Sequence, residues 1–276
     1  MRRTQRFHTV SDTLPPVPTA RDDALADAWR RAAHEFVADD AGRSVTIAGG
    51  ATHVAVAGDI SRPGASVLKL ALAIATLECD AATLDTPVAV ADIAASECPS
   101  ILDTLAPAHE LSLTELVGIT LVTSDNRSAE HLVRLIGADR VNATLRAYGC
   151  TASRLEVGFG DDVLNYRGRV NVTTTDDCAR LLAAIHREKH LAPILTALRA
   201  NLNHTRIQLR LPDETIVAHK TGSLSGVVND VGVIHAESGF LTVCFLTDGQ
   251  PDPAATAADI GECALAAFTA WTAAGC

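Results

Sequence analysis

The chain has 276 residues, 47% of them apolar, enough for one large domain or two interleaved ones with a substantial core. Its formal net charge of −10, with no basic run, argues against nucleic acid as a partner. No stretch approaches the ~20 apolar residues of a membrane span, which argues against a membrane partner.

In chain order, residues 1–18 are polar and proline-rich and read as an arm. Thr19 caps a predicted helix from Ala20 to Val37, with Leu25, Trp29, Ala33 and Val37 on one face. Ser44–Ala48 and Thr52–Ala57, split by Gly49-Gly50, alternate like a β-hairpin. Ser61-Arg62-Pro63-Gly64 reads as a turn, and a strongly apolar helix follows from Ser66 to Leu77. Ser112-Leu-Thr-Glu115 is a capping box that opens another helix. Ala129–Ile136 and Arg140–Ala147 are helical segments ending near Gly149, and 153–172 reads as a long functional loop. Thr174 to Asp177 starts a helix to Glu188, and 191–203 forms a further one. Thr215–His219, Val227–His235 and Phe240–Leu246 read as strands, and Pro253–Thr272 as an alanine-rich C-terminal helix.

This order predicts an α+β fold: an antiparallel sheet of about five strands flanked by N- and C-terminal helices, plus an all-helical lobe. Residues 19–61 and 211–276 then form one discontinuous lobe and 62–210 the helical one, with a site in the cleft between them.

Lysine occurs only at Lys69, Lys189 and Lys220. Lys69 lies three residues after Ser66 in an apolar helix, where the two side chains share a face. A desolvated amine with lowered pKa can take a serine's proton, or orient the group that does. The same spacing also suits an amphipathic helix whose lysine reaches water. Thr123-Ser124-Asp125-Asn126 offers a second hydroxyl to relay a proton and an amide for a substrate carbonyl or a lysine, although Ser-Asp-Asn is also common turn chemistry. His219-Lys220-Thr221-Gly222-Ser223 ends a predicted strand. There Lys220 and Thr221 can bind a carboxylate, and the Ser223 N–H can join that of Ser66 as an oxyanion hole. A strand ending in a polar turn reads the same way. The geometric expectation is that the Ser66 hydroxyl hydrogen-bonds Lys69, with Ser124 and Lys220 completing a ring.

Together, S-x-x-K, S-D-N and K-T-G in this order resemble class A β-lactamases and penicillin-binding proteins. The likeness extends through Leu111-Ser-Leu-Thr-Glu-Leu, Thr173-Thr-Thr and Val228-Asn-Asp-Val-Gly-Val-Ile, over roughly residues 20 to 272. It implies that Ser66 is acylated, Lys69 assists proton removal and Ser124 passes a proton to the leaving nitrogen. Asn126 would hold the substrate amide, and Lys220 with Thr221 a substrate carboxylate. The family's omega-loop pattern E-x-x-L-N, whose Glu activates the deacylating water, is matched by Asp161-Asp-Val-Leu164-Asn165, with Glu156 as a second candidate. Asp161 is one methylene short, and a misplacement of about 1 Å can cost on the order of 10²-fold in rate. Leu224-Ser-Gly-Val-Val228 offers no arginine, so the extra carboxylate anchor of many relatives is expected to be missing.

The implied activity is a serine hydrolase cleaving a β-lactam-like amide through an acyl-Ser66 intermediate. The alternatives are a cytosolic amidase, esterase or acyl-transfer enzyme of small-molecule metabolism, and a penicillin-binding sensor that acylates without turnover. The expected partner is a small amide or ester carrying a carboxylate, with no cofactor, in a monomer or small homo-oligomer. Met1-Arg2-Arg3 lacks the apolar run of a signal peptide, so the chain reads as cytoplasmic as given, exported only if a leader was removed. Seven scattered cysteines with no C-x-x-C pair read as reduced thiols. His186 and His190, at i and i+4, lack H-E-x-x-H and a third ligand, so no metal site is expected.

Overall fold

The computed structural model describes residues 20–160, 170–236 and 239–275; the expected arm at 1–18 and cap at Thr19 lie outside them. The first elements are α1 (Ala20–Val37), β1 (Arg43–Gly49), β2 (Thr52–Val56), β3 (Arg62–Pro63), α2 (Lys69–Leu77) and α3 (Ala81–Leu84). The middle holds β4 (Val88–Ala89), β5 (Glu110–Leu111), α4 (Leu113–Val122), α5 (Asn126–Ile136), α6 (Ala138–Ala147), β6 (Val172–Thr173), α7 (Thr175–Arg187) and α8 (Ala192–Arg199). The tail is β7 (Val217–Leu224), β8 (Val227–Ala236), β9 (Gly239–Thr247) and α9 (Pro253–Ala273).

The main sheet has five antiparallel strands in the order β2-β1-β9-β8-β7. An isolated two-stranded hairpin is marginal in water. The β1–β2 pair is completed by β9, where Val45 faces Phe245 and Ile47 faces Val243. Helices α1 and α9 cover one face. Asp252 caps α9 by accepting from the Ala254 and Ala255 N–H groups, with Pro253 in the first turn. Trp29 stacks on Trp271 with ring centroids 5.8 Å apart and donates to the Ala267 carbonyl at 3.0 Å.

The opposite face of the sheet packs on the helical segments. Helix α2 is buried along its whole length, with Leu70, Leu72 and Ile74 in a core that also takes in Leu116, Leu132, Leu182 and Val231. The capping box at Ser112 forms in both directions: its hydroxyl accepts from the Glu115 N–H, and the Glu115 carboxylate accepts from the Ser112 N–H at 2.7 Å. Among the described residues no helix is long and apolar enough to cross a membrane.

Four local expectations change. Arg62–Pro63 is not a turn but a short strand paired with β6, because Arg62 is drawn inward to the Ser44 hydroxyl and to the Ala41 and Arg43 carbonyls. Ser66 lies not in an α-helix but in the 3₁₀ turn Ala65–Leu68 that precedes α2. The helix expected over 191–203 stops at Arg199, since Asn201 and Asn203 accept from the N–H groups of Asn203 and Thr205 and compete with the helical ladder. The strand expected over 215–219 runs from Val217 to Leu224, straight through Gly222, because β8 pairs with it along that whole length.

Candidate active site

The nucleophile candidate sits on a turn held from three sides. Ahead of Ser66, Pro63 O accepts from Asn229 Nδ2 at 2.7 Å, Gly64 N donates to Asn171 O at 2.7 Å, and Val67 N closes the turn onto Gly64 O. Ala65 adopts φ +46°, a left-handed conformation that costs a non-glycine residue roughly 1–2 kcal/mol and leaves Ser66 half-exposed. Ser124, at φ +57°, is the second residue of the site held in that region.

Lys69 is fully buried. Its amine donates to Ser124 O and Asn126 Oδ1, both at 2.6 Å, and to Ser124 Oγ at 3.5 Å. Among the described residues the Ser66 hydroxyl makes no hydrogen bond, so the expected direct link from Ser66 to Lys69 is not formed. A buried ammonium has three donors to satisfy, and the serine carbonyl and asparagine carboxamide facing it take the best of them. The rest of the ring does form: Lys220 Nζ, also fully buried, donates to Ser124 Oγ at 2.8 Å and to Thr221 O at 2.9 Å. Burial, reinforced by the charge of Lys220, holds the Lys69 pKa well below the ordinary lysine value. Burial also pushes Lys220 down to about 7, with Asp230 opposing the shift and Arg206 adding to it. Two amines of weakened basicity therefore share one hydroxyl, through which a proton can pass between them.

Strand β7 closes the site as the edge strand of the sheet. A Cβ on Gly222 would lie 3.0 Å from Gly64 O and 3.2 Å from both Ala65 Cβ and Ser66 N, so only glycine lets the strand approach the Ser66 turn this closely. His235 N donates to Ile216 O at 2.9 Å. The antiparallel ladder alternates from that pair, which turns the N–H groups of Thr221 and Ser223 away from β8. The Ser223 N–H thus faces outward from the sheet edge, on the strand that passes the Ser66 turn at Gly222.

Residues 224–228 hold no arginine, but one from upstream of the strand lies against it. Arg206 is buried, donating to Gly222 O at 2.9 Å, to Asn229 O and to the Ser223 hydroxyl. Nothing local to 203–210 marks it, because the contact exists only once β7 and β8 are paired. Cys98 was likewise not singled out: its sulfur lies 3.6 Å from Asn126 Nδ2. Asn126 Oδ1 turned to Lys69 and Nδ2 turned to Cys98 fix the orientation of that carboxamide.

Asp161 lies outside the described residues. Glu156 pairs with Arg154, and its N–H donates to Asn171 Oδ1 at 2.7 Å, so it is tied into the loop that braces Gly64. His186 packs on Phe240 at 3.8 Å between ring centroids, while His190 lies beside Glu188. Among the described residues no cluster of three His, Cys, Asp or Glu side chains could hold a metal, and six cysteines are free.

The family model for the β-lactamase enzyme family matches residues 25–271. Among solved structures, a β-lactamase from Sphaerobacter thermophilus is 30% identical with a TM-score of 0.77, the match covering 90% of this chain and 98% of that one. A class A β-lactamase from Bacteroides cellulosilyticus shares the fold at 21% identity and a TM-score of 0.80, over 90% and 99% of the two chains. So does a point mutant of PBP-A in its acyl-enzyme complex with penicillin G, at 19% identity and a TM-score of 0.77, over 90% and 97%. No curated protein matches. The chain has the fold of the class A β-lactamases and of PBP-A, and it belongs to the β-lactamase enzyme family.

Proposed function

We propose that this protein opens the cyclic amide of a small, β-lactam-like molecule carrying a carboxylate, through an ester on Ser66. The observation that carries the reading is the Ser124 hydroxyl, held between two fully buried lysine amines and within the same site as the Ser66 turn.

The neutral amine of Lys69, directly or through a bound water, accepts the Ser66 proton as Oγ attacks the carbonyl carbon. The electron pair of the C=O moves to oxygen, where the N–H groups of Ser66 and Ser223 receive it. Collapse re-forms the C=O and breaks the C–N bond. The departing nitrogen takes the Ser124 proton, which Lys220 or Lys69 replaces. Asn126 Nδ2 positions a substrate carbonyl. Lys220, Thr221, Ser223 and Arg206 gather hydrogen-bond donors and positive charge for the carboxylate. Water then cleaves the ester, and Asp161 is the proposed base for that step.

The shorter Asp161 favours a second reading, a protein that acylates quickly and releases slowly. A time course of intact mass after adding benzylpenicillin distinguishes the two. A transient adduct absent from Ser66→Ala supports hydrolysis, and a persistent one supports the penicillin-binding reading. A Ser66 that reacts with p-nitrophenyl esters but not with penicillin moves the substrate to another amide or ester. No adduct with either probe removes the proposal.

A further inference from the structure

Behind Lys220, on the neighbouring strand, a carboxylate is buried with no solvent exposure. Asp230 on β8 lies opposite Thr221, and its two oxygens stand 2.9 and 3.0 Å from His219 Nδ1. Oδ2 also accepts from the Ile207 N–H at 3.1 Å. His219 precedes Lys220 in sequence, and Ile207 follows Arg206. One carboxylate thus holds the immediate chain neighbours of both cations at the carboxylate end of the site. Room for this pair is built in: a Cβ on Gly232 would fall 2.5 Å from His219 Cβ. A buried carboxylate is tolerated only when paired and hydrogen-bonded, so its place across from Thr221 calls for a reason.

We propose that Asp230 is a positioning residue for substrate-carboxylate recognition, fixing β7 at Lys220 through His219 and the Arg206 turn through Ile207. The inference rests on the acyl-serine reading above. Its negative charge also favours the charged forms of Lys220 and Arg206, the forms that attract a carboxylate. Loss of Asp230 leaves the Ile207 N–H without its acceptor and frees the Arg206 turn, while the Ser66 turn, tied through Asn229 and Asn171, keeps its anchors.

The test compares acylation of Ser66 in the full chain by two probes, benzylpenicillin, which carries a carboxylate, and p-nitrophenyl acetate, which carries none. Rate constants come from intact mass. Asp230→Asn is expected to slow acylation by benzylpenicillin about tenfold, the effect of losing one buried hydrogen bond to a charged group. Acylation by the acetate should change less than about twofold by the same reasoning. A purely structural residue would slow both probes alike, and that result, or no change with either, overturns the proposal. If Asp230→Asn does not fold, His219→Gln decides. Its carboxamide mimics the far ring nitrogen and not the one bonded to Asp230, so the same split is expected, and equal effects on both probes overturn the proposal. An unaltered protein that neither probe acylates removes the acyl-serine reading itself, and this inference with it.

Discussion

Lys220 Nζ reaches the Ser124 hydroxyl at 2.8 Å across 96 residues of sequence. Ser124 is held in a left-handed conformation, and Lys69 approaches the same oxygen from helix α2 at 3.5 Å. Among the described residues the Ser124 hydroxyl is the oxygen that both amines approach.

Lys220→Met removes one donor to Ser124 and one charge while keeping much of the volume. Acylation by benzylpenicillin should fall on the order of 10²–10⁴-fold, the range for loss of a positioned proton-transfer group. Single-turnover mass spectrometry measures it, and a change below tenfold would separate Lys220 from the chemistry.

The stability of the protein should rise and then fall with alkaline pH. Lys220 titrates near 7 in the fold but at 10.5 when unfolded, so between those values the unfolded chain holds the extra proton and stability increases with pH. Burial pushes the thiols of Cys150, Cys178 and Cys263 up to about 12 from 9.0, so above pH 9 the unfolded chain is the one that loses protons and stability declines. Thermal midpoints are expected to peak near pH 9, and Lys220→Met should show a shallower rise between 7 and 9. A flat profile over that range in both proteins would contradict the burial of a neutral amine.

Gly222→Ala places a methyl group 3.0 Å from Gly64 O and 3.2 Å from Ser66 N. The strand must move outward, carrying the Ser223 N–H with it. Acylation should drop roughly 10²-fold, since displacements near 1 Å have that effect. Overpacking should cost about 1–3 kcal/mol of stability, read by urea denaturation. Full activity in a folded variant would show that the close approach is not needed.

Asp161→Glu gives this position the carboxylate length of the omega-loop pattern E-x-x-L-N that the sequence resembles. Release of the penicilloyl ester should speed up by as much as about 10²-fold with acylation unchanged. Adduct lifetime by intact mass reports this directly, and an unaltered lifetime would assign the water-activating step to another group.

Much of this protein is written locally. The capping box at Ser112 and the Trp29 stripe of α1 each depend on groups within a few positions of one another, so periodicity and hydrogen-bonding chemistry determined them. The order of S-x-x-K, S-D-N and K-T-G likewise marked which side chains would meet. Tertiary structure alone decided how they meet. Lys69 turned to Ser124 and Asn126 rather than to Ser66, because a desolvated ammonium goes to the acceptors that other elements bring to it. Gly222 stayed inside its strand because β8 paired across it, and Arg206 joined the site only through strands that follow it in the chain. Contacts between residues far apart in sequence are set by closure of the sheet and the burial of its faces, and no local pattern encodes that closure.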